Sequence, residues 1–269
     1  MPLIDAYFIP VITAGVVGGA STGLLGVYVV GMRIPLIGIC MSHAAMAGSV
    51  FGYLLGWPQT VCGIAAAVAA SLIVSLLTQE RLRINTDVAL GIILSLTMGL
   101  AFLGIGLVSG PKTPVLGLIW GSLLFVGWRD VLVIAATSLA LLLFIVLFSK
   151  EMKAILFSRE LARASGVHEG FVWGLFLALC GATLTVNLNT VGGLMIYSLM
   201  VNPAVAALQV CRTYTLAVGA AAFFGSLSAL GGFLVAHHFD LFTGACIVLF
   251  SSAVFAAAAL YRFLLRKGE

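Results

Sequence analysis

Long apolar segments separated by short polar connections make up nearly the whole chain. A helix needs about 20 apolar residues to cross the hydrocarbon core of a bilayer. By this length criterion the pattern predicts an all-α polytopic membrane protein of eight or nine transmembrane helices. The number of helices depends on whether the short pair 171–187 and 191–211 is counted as two spans. The nine predicted spans are 8–30, 38–56, 60–78, 88–109, 130–149, 171–187, 191–211, 214–236 and 243–264.

Two further patterns refine this architecture. The stretch from Pro111 to Trp128 is apolar but rich in proline and glycine, which predicts an external loop with a short interfacial or re-entrant helix. Small residues recur every fourth position at Gly15, Gly19 and Gly23, which predicts close packing between helices. No repeat or linker divides the chain, so residues 1–269 are expected to form one transmembrane domain.

The basic residues orient the predicted helices. Short loops rich in Lys and Arg stay on the cytoplasmic side. Nine spans with the N-terminus outside and the C-terminus inside leave only Lys112 and Arg129 outside. The other eleven basic residues then lie inside: Arg33, Arg81, Arg83, Lys150, Lys153, Arg159, Arg163, Arg212, Arg262, Arg266 and Lys267.

Composition agrees with a membrane location and excludes some functions. The chain is 62% hydrophobic and 8% charged, whereas soluble domains carry about 25% charged residues. The net charge of +4 is modest, and its basic residues fit anionic lipid headgroups rather than nucleic acid. All nine acidic residues fall in the predicted loops or at the ends of the spans, which disfavours a proton- or sodium-coupled carrier. Neither a channel filter nor the residue set of an intramembrane enzyme is recognisable.

His43 is the ionisable side chain that the prediction places inside a span. An intramembrane imidazole is costly unless it has a partner, so it indicates either a ligand or a polar link between helices. Cys40 and Met46 lie three residues to either side, where one helix face can carry all three side chains. Such donors suit zinc or copper(I) better than manganese. Both residues are equally ordinary as core side chains.

Two weaker candidates lie elsewhere. Asn202 precedes Pro203 inside a predicted span, where a kink would either line a pathway or simply pack. His237, His238 and Asp240 cluster at an outer helix end, where they would collect metal or form a solvated terminus.

The segment 150–169 is the one long polar interruption, and it is predicted to be cytoplasmic. Ser158 is suited to cap a short helix, Glu160 to its first turn and Gly166 to its end. The pattern predicts a two-turn helix that presents Leu161, Ala162 and Ser165 to a soluble partner. A solvated loop is the alternative.

Five motifs in order resemble the permeases of zinc- and manganese-type ABC transporters. Together they cover some 200 residues: Gly38–Gly48, Asp87–Ile92, Phe157–Gly166, Val191–Ala206 and Asp240–Ala245. The resemblance implies a multi-pass subunit of a bacterial inner-membrane importer that moves a transition-metal ion, zinc or manganese. It also implies cytoplasmic subunits that hold the ATP, a second permease chain and an extracytoplasmic metal-binding protein. The chain itself would be no enzyme and would bind no covalent cofactor.

The resemblance also assigns roles to residues. His43 matches the histidine expected in the metal pathway, with Cys40, Met46 and Asn202 as further candidates. The ATPase-coupling residues would be Ser158, Arg159, Glu160, Leu161, Ala162, Ser165 and Gly166.

One departure leaves the cargo open. The family's aspartate four residues before that histidine is Ile39 in this chain. The explanations are a softer metal, a partner permease that retains the aspartate, or a chelated cargo. An ATP-independent carrier or channel remains the alternative from another class.

Overall fold

Eleven α-helices account for the regular structure of the described residues. This computed structural model describes residues 8–78, 84–109, 117, 126–193 and 195–266. The helices are α1 Phe8–Gly31, α2 Ile37–Leu55, α3 Gln59–Leu77, α4 Thr86–Leu107, α5 Trp128–Leu147, α6 Ser149–Phe157, α7 Arg159–Ala164, α8 Glu169–Val191, α9 Ile196–Val210, α10 Tyr214–Phe239 and α11 Thr243–Arg266.

Eight of the described helices are long and apolar enough to cross a membrane, which confirms the all-α polytopic prediction. They are α1 to α5, α8, α10 and α11. The predicted span 191–211 is instead the 15-residue helix α9. At 1.5 Å per residue it is about 22 Å long, less than the roughly 30 Å hydrocarbon core.

The boundary between α8 and α9 explains this correction. Helix α8 continues to Val191, beyond the predicted end at residue 187. Gly192 then takes a φ of 93°, a left-handed conformation that side chains resist and that ends the helix. Most of the predicted loop between Pro111 and Trp128 lies outside the described residues.

Glycines bring α1 against α10, as the four-residue spacing predicts. A Cβ atom on Gly225 of α10 would overlap the carbonyl oxygen of Gly19 and lie 2.9 Å from its carbonyl carbon. One turn on, a Cβ atom on Gly23 would overlap the carbonyl oxygen of Ala221. The Ser226 hydroxyl donates to the Val16 carbonyl at 2.9 Å. Backbone-to-backbone contact therefore joins these two helices.

Helix α2 lies among several other helices. It packs against α3, α4 and α8. The Ser42 hydroxyl also donates to the carbonyl of Gly193 at 3.1 Å, which ties α2 to the turn between α8 and α9. Helix α8 is itself largely buried and carries Trp173 and Phe176 into the largest hydrophobic cluster. These contacts hold His43 away from the lipid-facing surface.

Candidate functional site

His43 is a buried imidazole in the first half of α2. The side chain is 6% exposed, and its Nδ1 atom has no hydrogen-bond partner among the described residues. Buried polar atoms in proteins almost always have a partner, so this nitrogen requires an explanation. The neighbouring Ser42 hydroxyl does not supply one; it lies within hydrogen-bond distance of the carbonyls of Ile39 and Gly193, which accept from it. A neutral imidazole can bind a metal ion through the ring nitrogen that carries no proton.

Cys40 and Met46 lie one helical turn before and after His43, and both are buried. They belong to different hydrophobic clusters. Cys40 packs in the large cluster that includes Met41, whereas Met46 packs with a group that includes Ala67 and Ala101. Ordinary core packing therefore accounts for both side chains. Their role as metal ligands remains a prediction.

A three-ligand metal site is not assembled within the described part of this single chain. No group of three or more His, Cys, Asp or Glu side chains there is placed to hold a metal ion. The role of His43 as a metal ligand therefore remains a prediction, supported by its buried, unpartnered Nδ1. The His, Cys, Asp and Glu side chains of the described residues do not complete a three-ligand site with it in this arrangement.

Asn202 links α9 to α11. Its amide nitrogen donates to the hydroxyls of Ser251 at 3.1 Å and Ser252 at 3.0 Å. Pro203 follows without ending the helix, which runs on to Val210. These bonds favour the packing interpretation, and a role for Asn202 in the pathway stays a prediction.

The side chains of His237, His238 and Asp240, at the end of α10, contact different neighbours. The His237 ring stacks on Phe233 at a centroid distance of 6.0 Å and meets Phe8 edge-on at 5.0 Å. His238 meets Phe239 edge-on, and Asp240 caps the end of α10 with a φ of 53°. Aromatic packing thus occupies His237, and the three do not form a three-ligand group.

The segment 150–169, which the sequence predicts to be cytoplasmic, contains the expected short helix α7. The Leu161 N–H donates to the Ser158 hydroxyl at 3.4 Å, and Glu160 lies in the first turn. Gly166 follows the helix with a φ of 83°, which favours glycine. The capped helix and its glycine terminus are therefore as predicted.

The exposed face of α7 differs from the prediction at one residue. Leu161 is 54% exposed and Ser165 is exposed, but Ala162 is only 1% exposed. Ala162 belongs to the large hydrophobic cluster together with Met152 and Ile155 of α6. A methyl group is small enough for α7 to lie directly on this core. Ala162 is consequently an anchoring contact and does not face a partner.

Sequence reasoning missed the role of Glu169 in holding α7. This carboxylate is 2% exposed and forms ion pairs with Arg159 and Arg163, the latter at 3.0 Å. The Arg159 guanidinium carbon also lies 4.3 Å from the centroid of the Trp173 ring. The signal in the sequence was two arginines at i and i+4 followed by an acid at a helix start. The sequence alone predicts a coupling role for Arg159 and does not show the ion pairs with Glu169.

Comparison with known proteins adds a family assignment. The ABC 3 transport family matches residues 5–262 of the chain. A zinc transport system membrane protein, TroC of Treponema pallidum, is 32% identical over 240 residues, covering 86% of this chain and 80% of the relative. A manganese transport system membrane protein, MntC of Halalkalibacterium halodurans, is 26% identical over 95% of this chain and 87% of the relative.

A solved structure shows the same fold. The chain is similar to a structure of PsaBC from Streptococcus pneumoniae in complex with Fab, with a TM-score of 0.83. The match covers 94% of this chain and 91% of that chain at 23% sequence identity. At this identity the likeness establishes the arrangement of helices and leaves the cargo open.

Proposed function

Because the chain belongs to the ABC 3 transport family and is a membrane permease, we propose that it imports zinc or manganese into the cytoplasm. Family membership across residues 5–262 is the observation that carries this proposal. The named zinc and manganese relatives support the class of cargo. Such permeases are not enzymes, since ATP is hydrolysed by a separate subunit.

His43 is the proposed pathway ligand. Its buried, unpartnered Nδ1 supports this role, and a second permease chain would supply a second imidazole to the same ion. Ile39 offers no carboxylate oxygen one turn earlier. Imidazole without a hard anionic oxygen suits zinc better than manganese, so we place zinc first. Cys40 and Met46 are further donors if α2 rotates.

Energy would reach the pathway through the cytoplasmic segment. An ATP-binding subunit would dock on α7 and drive alternating access, with Leu161 and Ser165 as exposed contacts and Gly166 fixing the end of the helix. The capped geometry of α7 and the exposure of Leu161 support this docking role. An external metal-binding protein would deliver the ion at the opposite side of a bacterial inner membrane.

A chelated metal is the second candidate cargo. Ile39 in place of the expected aspartate favours it, because a chelate brings its own oxygen donors and needs fewer from the permease. Uptake of a chelate would tolerate the loss of His43, whereas uptake of a bare ion would not.

Replacing Leu161 with glutamine tests the docking role of α7. We expect ATPase stimulation by the permease and metal uptake to fall together by about tenfold, because an apolar interface contact worth about 1.4 kcal/mol is lost. The measurement is ATP hydrolysis and metal uptake in proteoliposomes that contain the complete transporter.

Lys153→Gln is the matched control for that variant. Lys153 is exposed on the preceding helix α6 and receives the same new side chain. Equal losses in both variants, or no loss in Leu161→Gln, would remove Leu161 from the docking surface.

A further inference from the structure

Glu169 joins α7 to the transmembrane core through two ion pairs. Its Oε1 accepts a hydrogen bond from Arg159 Nε, and its Oε2 accepts one from Arg163 Nη2 at 3.0 Å. The two arginines lie one turn apart on α7, whereas Glu169 lies in the first turn of α8. One carboxylate thereby contacts both turns of the short helix. We call these three residues together with Trp173 the Glu169 clamp.

The clamp is held in an environment of low solvent access. Glu169 is almost fully buried, and the side chains of Arg159 and Arg163 are 27% and 43% exposed. Trp173, one turn further along α8, lies beneath the Arg159 guanidinium in a cation–π contact. Charged hydrogen bonds in such an environment are less screened than surface pairs, and loss of one partner leaves a charge uncompensated.

Other acids of the cytoplasmic segment do not share this arrangement. Glu160 of α7 is exposed, and Glu151 of α6 is half-buried. Within the residues that the structure describes, neither forms an ion pair. Apart from the clamp, α7 meets the core through the buried methyl group of Ala162. Among the acids of the segment 150–169 that the structure describes, Glu169 is therefore the one that pairs with α7.

Helix α8 runs from the clamp toward the surroundings of His43. A Cβ atom on Gly63 of α3 would lie 3.0 Å from the Thr185 methyl of α8 and 3.1 Å from the carbonyl oxygen of Ala45. Ala45 is two residues beyond His43 on α2. Glu169 and Thr185 are sixteen residues apart, or about 24 Å along a continuous helix. Helix α8 is therefore a continuous element that can transmit a displacement from the clamp to the neighbourhood of His43.

We propose that Glu169 is a positioning residue that transmits the ATP-driven movement of α7 to α8, and through α8 to α2. The inference rests on the proposed ABC permease function. It adds a residue that neither contacts the ATPase nor binds the metal. Contacts at two successive turns of α7 resist both sliding and rotation of that helix, so a push on α7 moves α8 with it.

The test is the number of metal ions imported per ATP hydrolysed. The complete transporter, with its own ATP-binding subunit and binding protein, is reconstituted with wild-type chain, Glu169→Gln or Glu169→Asp. We expect Glu169→Gln to retain ATP hydrolysis and to import about tenfold fewer ions per ATP, because a buried ion pair is lost. Glu169→Asp keeps the charge, so it should restore part of the ratio. Glu151→Gln is the matched control and should match wild type.

Each outcome decides the proposal. An unchanged ratio in Glu169→Gln overturns it, and so does a proportional loss of hydrolysis and uptake, which would indicate docking or folding. If Glu169→Gln does not reach the membrane, Arg163→Gln is measured instead, because Arg159 still pairs with the Glu169 carboxylate in that variant. A wild-type ratio of ions to ATP in Arg163→Gln would also overturn the proposal. Failure of the proposed function is separate, because wild-type proteoliposomes would then show no ATP-dependent uptake.

Discussion

Replacing His43 with alanine is expected to lower metal uptake by about 100-fold, near the upper end of the effect seen when a metal site loses a supporting group. The buried Nδ1 without a partner is the donor that the metal would use. Alanine removes this donor and leaves a hydrocarbon surface beside Ile39. A bare dication crossing that surface would lack a ligand to replace its water.

The measurement is ATP-dependent uptake of zinc and manganese in proteoliposomes, with ATP hydrolysis recorded in the same samples. His168→Ala is the matched control, because His168 is exposed at the start of α8, far along the sequence from α2. We expect His168→Ala to transport as wild type does. Normal uptake in His43→Ala would show that His43 links helices and does not bind the metal, and it would favour a chelated cargo.

Replacing Gly225 with leucine is expected to prevent correct folding of the permease. The first carbon of any side chain at this position would overlap the carbonyl oxygen of Gly19, and the backbone of α1 cannot yield as a flexible side chain does. Overpacking usually costs about 1–3 kcal/mol, and a clash with backbone should exceed that range. The helices α1 and α10 would have to separate.

Gly219→Leu supplies the control on the same helix. Gly219 is exposed, and a Cβ atom there meets nothing within 4 Å. The yield of monodisperse protein in detergent and its thermal unfolding temperature are the measurements. We expect Gly225→Leu to lose both, whereas Gly219→Leu retains them. Equal stability of the two variants would contradict the close contact between α1 and α10.

Much of the fold was predictable because membrane helices obey a simple length rule. Each of the eight long described helices overlaps a predicted span within a few residues. The error at 191–211 had a local cause, since hydropathy does not register that Gly192 adopts a positive φ. Apolar composition continued through the break, so the pattern suggested a full span where a shorter helix lies.

The candidate site was predictable only in part. His43 stood out because an imidazole is rare in an apolar helix, but sequence could not show that its Nδ1 lacks a partner. The sequence predicts Ala162 on the exposed face of α7, because the pattern of so short a helix does not indicate which side packs on the core. The sequence does not show that Glu169 is buried, because its ion pairs with Arg159 and Arg163 depend on how α7 lies against α8.

The cargo depends on donor chemistry that a single chain does not complete. Ile39 removes a hard oxygen from the neighbourhood of His43, and the described residues offer no three-ligand group in exchange. The proposed function therefore places zinc before manganese, because imidazole without a carboxylate oxygen suits zinc better. A second copy of the chain would add an identical imidazole, which makes the dimer the natural unit in which to measure selectivity.

ATP-dependent uptake of zinc and manganese by the reconstituted transporter is the measurement that decides whether this chain is a metal-ion permease. Proteoliposomes would contain this chain with its ATP-binding subunit and binding protein, and matched vesicles would contain the chain alone. The proposed function predicts accumulation of zinc, ahead of manganese, only in the complete system and only with ATP. Metal flux through vesicles that hold the chain alone, independent of ATP, would contradict it and indicate a carrier or channel.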